Sequence, residues 1–195
     1  METHKRILQN DLFYVTHLTD EKKDVTDAAS FRVNDAAGLE YYIRNMAVSD
    51  ETSGVMRTYI VRSCNDDTAV AYFSLKAGLI SINEIKTEDG IVFDTLPGVE
   101  IADYAINSEF IDAYPYLKGV GAVVFSDFIV PLILKAAEYI GIKVIYIFAL
   151  PVERLIKRYR DYGFSRLDQQ AEDELHKRVK PFYDDGCIFM YQMLK

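Results

Sequence analysis

Lys118-Gly119-Val120-Gly121-Ala122 introduces an apolar run that reaches Ile140, and Val144-Ile145-Tyr146-Ile147-Phe148-Ala149-Leu150 follows between Gly141 and Pro151. The first stretch reads as a helix opened by a glycine turn and ended by Gly141. Pro131 lies inside it and should kink or split it. The second stretch has one polar group, a tyrosine hydroxyl, which is the composition of a strand buried on both faces. Beyond it, Pro151 is placed for the first turn of a helix running to about Tyr162 and closed by Gly163. Asp168 to Lys180 has acids early and bases late, which suits a helix dipole, until Pro181 stops it. Cys187 to Met193 is a closing strand. On the N-terminal side, Val99 to Ile106 reads as a strand that leads through Tyr114-Pro115-Tyr116 to the glycine turn.

Further upstream, Thr58 to Arg62 and Ala69 to Leu75 are rich in β formers and flank Ser63-Cys64-Asn65-Asp66-Asp67, a connection made of turn residues, so they form a hairpin. Leu12 to Leu18 is a strand, and the charged segment Asp20 to Asp27 is a candidate helix. Asn34 or Asp35 can cap a helix whose Leu39, Tyr42, Ile43 and Met46 fall at helical spacing. Lys76 to Pro97 is apolar but is broken by Gly78, Asp89-Gly90 and Pro97, and supports no single element. With no internal repeat, low-complexity tract or linker, residues 1–195 read as one domain.

Composition narrows the function. The chain has 195 residues, of which 50% are hydrophobic, with 14 Tyr and 11 Phe to pack, so a sizeable core is available and disorder or a fibrous repeat is excluded. Its 22 basic and 30 acidic residues give a formal net charge of −8, a poor surface for a phosphate backbone. The two cysteines, Cys64 and Cys187, suggest a reduced, cytoplasmic setting, and the first residues do not resemble a signal peptide. Ser126, Asp127, Pro131 and Lys135 interrupt the richest apolar stretch, so no membrane span is needed. His4, His17 and His176 lack metal-ligand spacing and no Gly-x-Ser-x-Gly occurs, so neither a metal site nor a serine nucleophile is expected.

The glycine turn carries the chemistry. The first N–H groups of a helix have no intrahelical partner and present an anion site, and Gly119 and Gly121 remove the Cβ atoms that would hold a phosphate away. The same string also serves as an ordinary tight turn, and Val124 stands where a dinucleotide fingerprint wants a third small residue. The second half of the pattern is Tyr159-Arg160-Asp161-Tyr162-Gly163-Phe164. With that string the sequence resembles the GNAT N-acetyltransferase superfamily, which transfers acetyl from acetyl-coenzyme A (acetyl-CoA) to an amine. Val99 to Asn107 matches the family's fourth strand, Lys118 to Ala122 its pyrophosphate loop, and Tyr159 to Phe164 its Tyr-x-x-x-Gly-Phe signature, in the family's order. The resemblance covers residues 58–167. Upstream, Phe31 to Ala47 followed by Arg57-Thr58-Tyr59-Ile60 is similar to the opening of the toxin-type acetyltransferases of the superfamily. One position departs: the family keeps Gln or Arg three residues before the first glycine, where this chain has Tyr116, and Lys118 is the nearest replacement for that charge.

The resemblance implies an α/β (α+β) GNAT fold: a central, mixed, mostly antiparallel twisted sheet of six to seven strands, flanked by helices on both faces and splayed between the fourth and fifth strands. It implies backbone N–H groups of Gly119, Val120, Gly121 and Ala122 on the pyrophosphate of acetyl-CoA, the backbone of Ala105 and Ile106 along the pantetheine arm, and no metal. Tyr159 falls where many members keep a tyrosine that protonates the departing thiolate; a phenol of pKa about 10 can donate without prior ionisation, and the alternative is a packing tyrosine. An amine of pKa about 10.4 is neutral in about one molecule in 2,500 at pH 7, so a base is also needed. Glu100 stands where histone-type members keep a glutamate base. Strand alternation puts Glu100 with Ala102, Tyr104 and Ile106, and Asp103 on the other face; either acid could instead be a salt-bridged strand carboxylate, with water as the proton carrier. The acidic surface favours a small-molecule or protein amine acceptor, with tRNA as the minority reading, and a homodimer is compatible with the family. Lys157-Arg158-Tyr159-Arg160 is a solvated basic face, a 3′-phosphate site or a small nucleic-acid footprint. A non-catalytic, coenzyme A-binding or regulatory module is the alternative, favoured by Tyr116.

Overall fold

The computed structural model describes residues 5–88, 90–178 and 186–194. Eight strands are found among them: β1 (Leu8–Gln9), β2 (Phe13–His17), β3 (Arg57–Ser63), β4 (Ala69–Thr87), β5 (Gly90–Ile106), β6 (Val144–Ala149), β7 (Ser165–Arg166) and β8 (Ile188–Met193). They are hydrogen-bonded in the order β1-β2-β3-β4-β5-β6-β8-β7, against the six to seven strands expected. Every described pairing is antiparallel except β5 with β6, so the sheet is mixed and mostly antiparallel.

The chain divides into two compact units, one taking residues up to Lys76 and again Ala102–Tyr139, the other Ala77–Ile101 and Ile140 onward. In the first unit, helices α1 (Lys22–Ser30), α2 (Ala37–Asn45) and α3 (Ala47–Ser53) separate β2 from β3, and α4 (Ser108–Ala113) follows β5. Leu18, Phe31, Ile43, Ile60 and Tyr72 form its apolar core, with Phe31 edge-on to Tyr72 at 5.2 Å. The helix opened by the glycine turn, α5, spans Val120–Ala137; at 18 residues and mean hydropathy 1.9 its length and composition would suffice to cross a membrane. Val124, Phe128, Ile129 and Ile133 are its buried side. Pro131 interrupts its α-helical hydrogen bonding without opening a gap. Its ring leaves no room or donor for the Asp127 carbonyl, and the turn Phe125–Ile129 widens so that the Val130 N–H bonds to the Phe125 carbonyl. The helix stops at Ala137 rather than at Gly141, because Glu138 and Tyr139 donate to Lys135 and Ala136 in tighter turns. Neither Asn34 nor Asp35 caps α2. Asp35 adopts φ 61° in the preceding turn, and Glu40 instead accepts the Val33 N–H at 2.9 Å and Arg44 at 2.7 Å.

In the second unit, β6 is the central strand, with Val144, Ile145, Tyr146 and Ile147 buried as its composition requires. Helix α6 (Glu153–Asp161) follows it and ends before Gly163, at φ 91°. Helix α7 (Gln169–Arg178) realises the charge-graded segment; Lys180 and Pro181, its expected end, lie outside the described residues, as do Asp89 and His4. The ambiguous region Lys76 to Pro97 is the body of β4 and β5. Gly78 and Gly98 do not break these strands. A Cβ on Gly78 would land on the Tyr146 hydroxyl, and one on Gly98 would lie 2.6 Å from Val144 Cγ1 and 3.1 Å from the Tyr146 ring. They are glycines because β6 needs the room.

Two buried charges of the first unit face one another, Arg62 on β3 and Asp24 on α1, both with fully buried side chains, with Asp27 beside them. Arg62 donates to Asp24 Oδ1 at 2.5 and 3.0 Å and to Asp27 at 2.6 Å, and Thr16 adds a bond to Asp24 at 3.1 Å. Asp24 Oδ2 has no hydrogen-bond partner among the described residues, so the carboxylate depends on the guanidinium. Arg62→Ala should therefore cost about 3–5 kcal/mol in urea unfolding, by stranding a buried charge; a loss below about 1 kcal/mol would show that the pair does not hold α1 to β3.

Candidate functional site

The first unit holds the glycine turn. Gly119 is the residue before α5 and has φ +74°, a conformation that carries the chain from the exposed Lys118 into the helix and that a side chain would strain. Its carbonyl accepts from Ala122 at 2.8 Å and Val123 at 3.1 Å. The Ala122 N–H is thus turned into the helix, and Val120 and Gly121 carry the helix's orphan donors. Tyr104 on β5 donates to the Gly121 carbonyl at 2.6 Å, fixing the turn against the strand. The end of β5 is anchored as well: Asn107 donates its N–H to Val70 at 2.8 Å and its side-chain amide to Ala69 at 2.9 Å. Ala105 is buried there and Ile106 half-buried. Tyr116, where a charged or amide side chain was expected, is 72% exposed and edge-on to Tyr114. Asp103 raises the phenol pKa values of Tyr42 and Tyr72, whose larger cause is burial.

The second unit holds Glu100 and Tyr159. Tyr159 lies on the buried side of α6 with Ile156, and meets Tyr162 at 6.2 Å and Phe164 at 5.7 Å, both edge-on. The Phe164 N–H returns to the Tyr159 carbonyl at 2.9 Å, so the Tyr-x-x-x-Gly-Phe string is a helix end folded back on its tyrosine. Burial, then the neighbouring Tyr162, pushes the Tyr159 phenol well above its ordinary value against the opposing charge of Arg158. It is a proton-bearing group throughout the neutral range. Arg154, Lys157, Arg158 and Arg160 are exposed on the same helix. Lys157 and Arg160 line an open cleft of about 540 Å³ with Pro151, Glu153, Ile156, Arg166 and Ile188.

Glu100 is 3% exposed and sits in register with Tyr146 on β6. The Tyr146 hydroxyl hydrogen-bonds to its carboxylate, and burial first, then the Glu100 charge, holds the phenol far above its usual pKa. Tyr146 did not stand out as a site residue in the sequence, although the lone hydroxyl in an otherwise apolar strand was the available signal: a buried phenol has to find an acceptor. Neither Cys64 nor Cys187 is in a disulfide, the Cys64 thiol reaches the Asn10 carbonyl at 3.7 Å, and His17 faces Glu51 at 3.3 Å.

No protein-family model matches the chain, and no curated protein resembles it in sequence. Its fold does recur among solved structures. AtaTR bound with acetyl-CoA superposes with a TM-score of 0.67 at 17% identity, covering 94% of this chain and 95% of that one. The chain has the GNAT fold. A tyrosine-to-phenylalanine mutant of KacT gives 0.65 at 14% identity over 94% of this chain and 95% of the other. AtaT complexed with acetyl-methionyl-tRNAfMet gives 0.62 at 18%, over 91% and 93%.

Because the folded Tyr159 holds its proton more tightly than an unfolded tyrosine of pKa about 10, its contribution to stability is complete below that pH and is lost as pH rises through the folded value. The difference in alkaline titration at 295 nm between the wild type and Tyr159→Phe should show one phenol ionising only with alkaline unfolding. A difference step near pH 10 in the folded protein would contradict the burial of this hydroxyl.

Proposed function

We propose that this chain is a cytoplasmic N-acetyltransferase, one domain of 195 residues, which transfers acetyl from acetyl-CoA to a primary amine by direct attack in a ternary complex. The observation that carries the reading is the left-handed Gly119 turn at the start of α5, held by Tyr104, on a GNAT fold. An N-terminus so arranged suits a pyrophosphate. The N–H groups of Gly119, Val120 and Gly121 would face it, with Ala122 contributing through the helix it closes and Lys118 adding charge. The backbone of Ala105 and Ile106 would pair with the pantetheine arm as an added strand.

The chemistry follows from the amine. Glu100 takes the ammonium proton, whose removal at pH 7 costs roughly 4.6 kcal/mol from a group of pKa about 10.4. The nitrogen lone pair then adds to the thioester carbonyl carbon. When the tetrahedral intermediate collapses, the carbon–sulfur bond breaks, its electron pair leaves on sulfur and Tyr159 gives the thiolate its proton, while the nitrogen gives up its second proton, which restores the phenol, and becomes the neutral amide.

A second reading, acetylation of aminoacyl-tRNA, has its own observation: the exposed Arg154, Lys157, Arg158 and Arg160 of α6 concentrate positive charge in a chain of net −8, and AtaT was solved with acetyl-methionyl-tRNAfMet. The overall charge favours a cationic small-molecule or protein acceptor. Thiol release from acetyl-CoA, measured with polyamines, lysine peptides and charged tRNA in turn, decides between them. Tyr159→Phe should lower kcat about 100-fold with the accepted substrate and leave acetyl-CoA affinity within twofold. Turnover by Tyr159→Phe at the wild-type rate would remove that residue from the mechanism, and binding without thiol release on any acceptor would make the protein a non-catalytic module.

A further inference from the structure

Tyr146 sits in a slot made for it. Gly78 on β4 and Gly98 on β5 both lack the atom that would collide with its ring or hydroxyl, and the other side chains around it are Ile80, Val144 and Phe189, with Phe148 edge-on at 6.4 Å and Phe189 at 5.7 Å. Its hydroxyl is bonded to Glu100, directly across the parallel β5–β6 ladder. That ladder has three rungs, Gly98, Val99 and Glu100 against Val144, Ile145 and Tyr146; among the described pairings, Ile147–Ala149 are bonded to β8 alone. Glu100 and Tyr146 are therefore the last rung before β6 leaves β5. Two glycines and a phenol in an apolar core place one carboxylate at that fork.

We infer that Tyr146 is a positioning residue which aims the Glu100 carboxylate at the end of the shared ladder; this rests on the reading of Glu100 as the base for the amine. The carboxylate is 3% exposed, and the phenol gives it a fixed donor on the face that Gly78 and Gly98 leave open. The other titratable groups on elements packed around this core are Tyr191 on β8, Glu172 and His176 on α7 and Arg166 on β7. Glu172 is engaged by Arg166 at 2.9 Å and by the Phe189 N–H at 3.0 Å, and His176 lies against Phe148 at 6.3 Å.

Two readouts test it. In the wild type, Tyr146→Phe, Gly78→Ala and Glu100→Gln, the pH profile of kcat/KM is recorded with the accepted amine, and the Glu100 carboxyl is titrated by 13C NMR in labelled protein without substrate. Tyr146→Phe should move both the acid limb and the carboxyl titration to higher pH by about one unit, the tenfold change in proton affinity that goes with one lost charge-assisted hydrogen bond. Gly78→Ala should do the same, since its methyl displaces the phenol. A titration that does not move in either variant overturns the inference. A titration that moves while Glu100→Gln keeps the wild-type acid limb overturns the reading of Glu100 as the base, and the positioning role with it. Loss of turnover in Glu100→Gln with an unmoved limb in Tyr146→Phe overturns only the part given to Tyr146.

Discussion

A helix cannot satisfy its own first N–H groups, and a chain that starts a long apolar helix has to put something in front of them. Here α5 begins at a left-handed Gly119, its third N–H is turned back to the Gly119 carbonyl, and Tyr104 grips the Gly121 carbonyl from β5. What remains is a short set of donors at a turn where an added Cβ on Gly119 would meet nothing within 4 Å. The proposed function follows from that constraint, because an anion is the partner such a turn accepts best. Tyr104 and Asn107 anchor the neighbouring strand end, one through the helix and the other through β4.

A second constraint runs through both units: polar groups taken from water must be paired. Arg62 and Asp24 meet it in the first unit and Glu100 and Tyr146 in the second. The two pairs differ in kind. Arg62 compensates a charge with a charge and joins a strand to a helix, whereas Tyr146 gives a carboxylate a neutral donor.

Much of this was legible in the residues. The apolar run Val144 to Leu150 could only be a buried strand, and the glycine turn, the Tyr-x-x-x-Gly-Phe string and the β3–β4 hairpin fell where local chemistry put them. The misjudged places share a cause. Gly78 and Pro97 looked like breakers because the reason for Gly78, a tyrosine arriving from β6, is about 68 residues away in the chain. Asn34 and Asp35 were good caps by type, but Glu40 already held the Val33 N–H. The eighth strand was missed because β1 and β7 are two residues each, too short to carry a pattern. Tyr146 was seen as the lone hydroxyl of its strand, but its acceptor could not be named from sequence.

The most direct test of the central claim is isothermal calorimetry of acetyl-CoA with the wild type and with Gly121→Glu. That substitution puts a carboxylate beside the proposed pyrophosphate site. Saturable binding to the wild type, abolished in a Gly121→Glu protein that keeps its circular dichroism, is the predicted result. Equal affinity in the two proteins, or no binding to either, would contradict the assignment of the Gly119 turn as the coenzyme site.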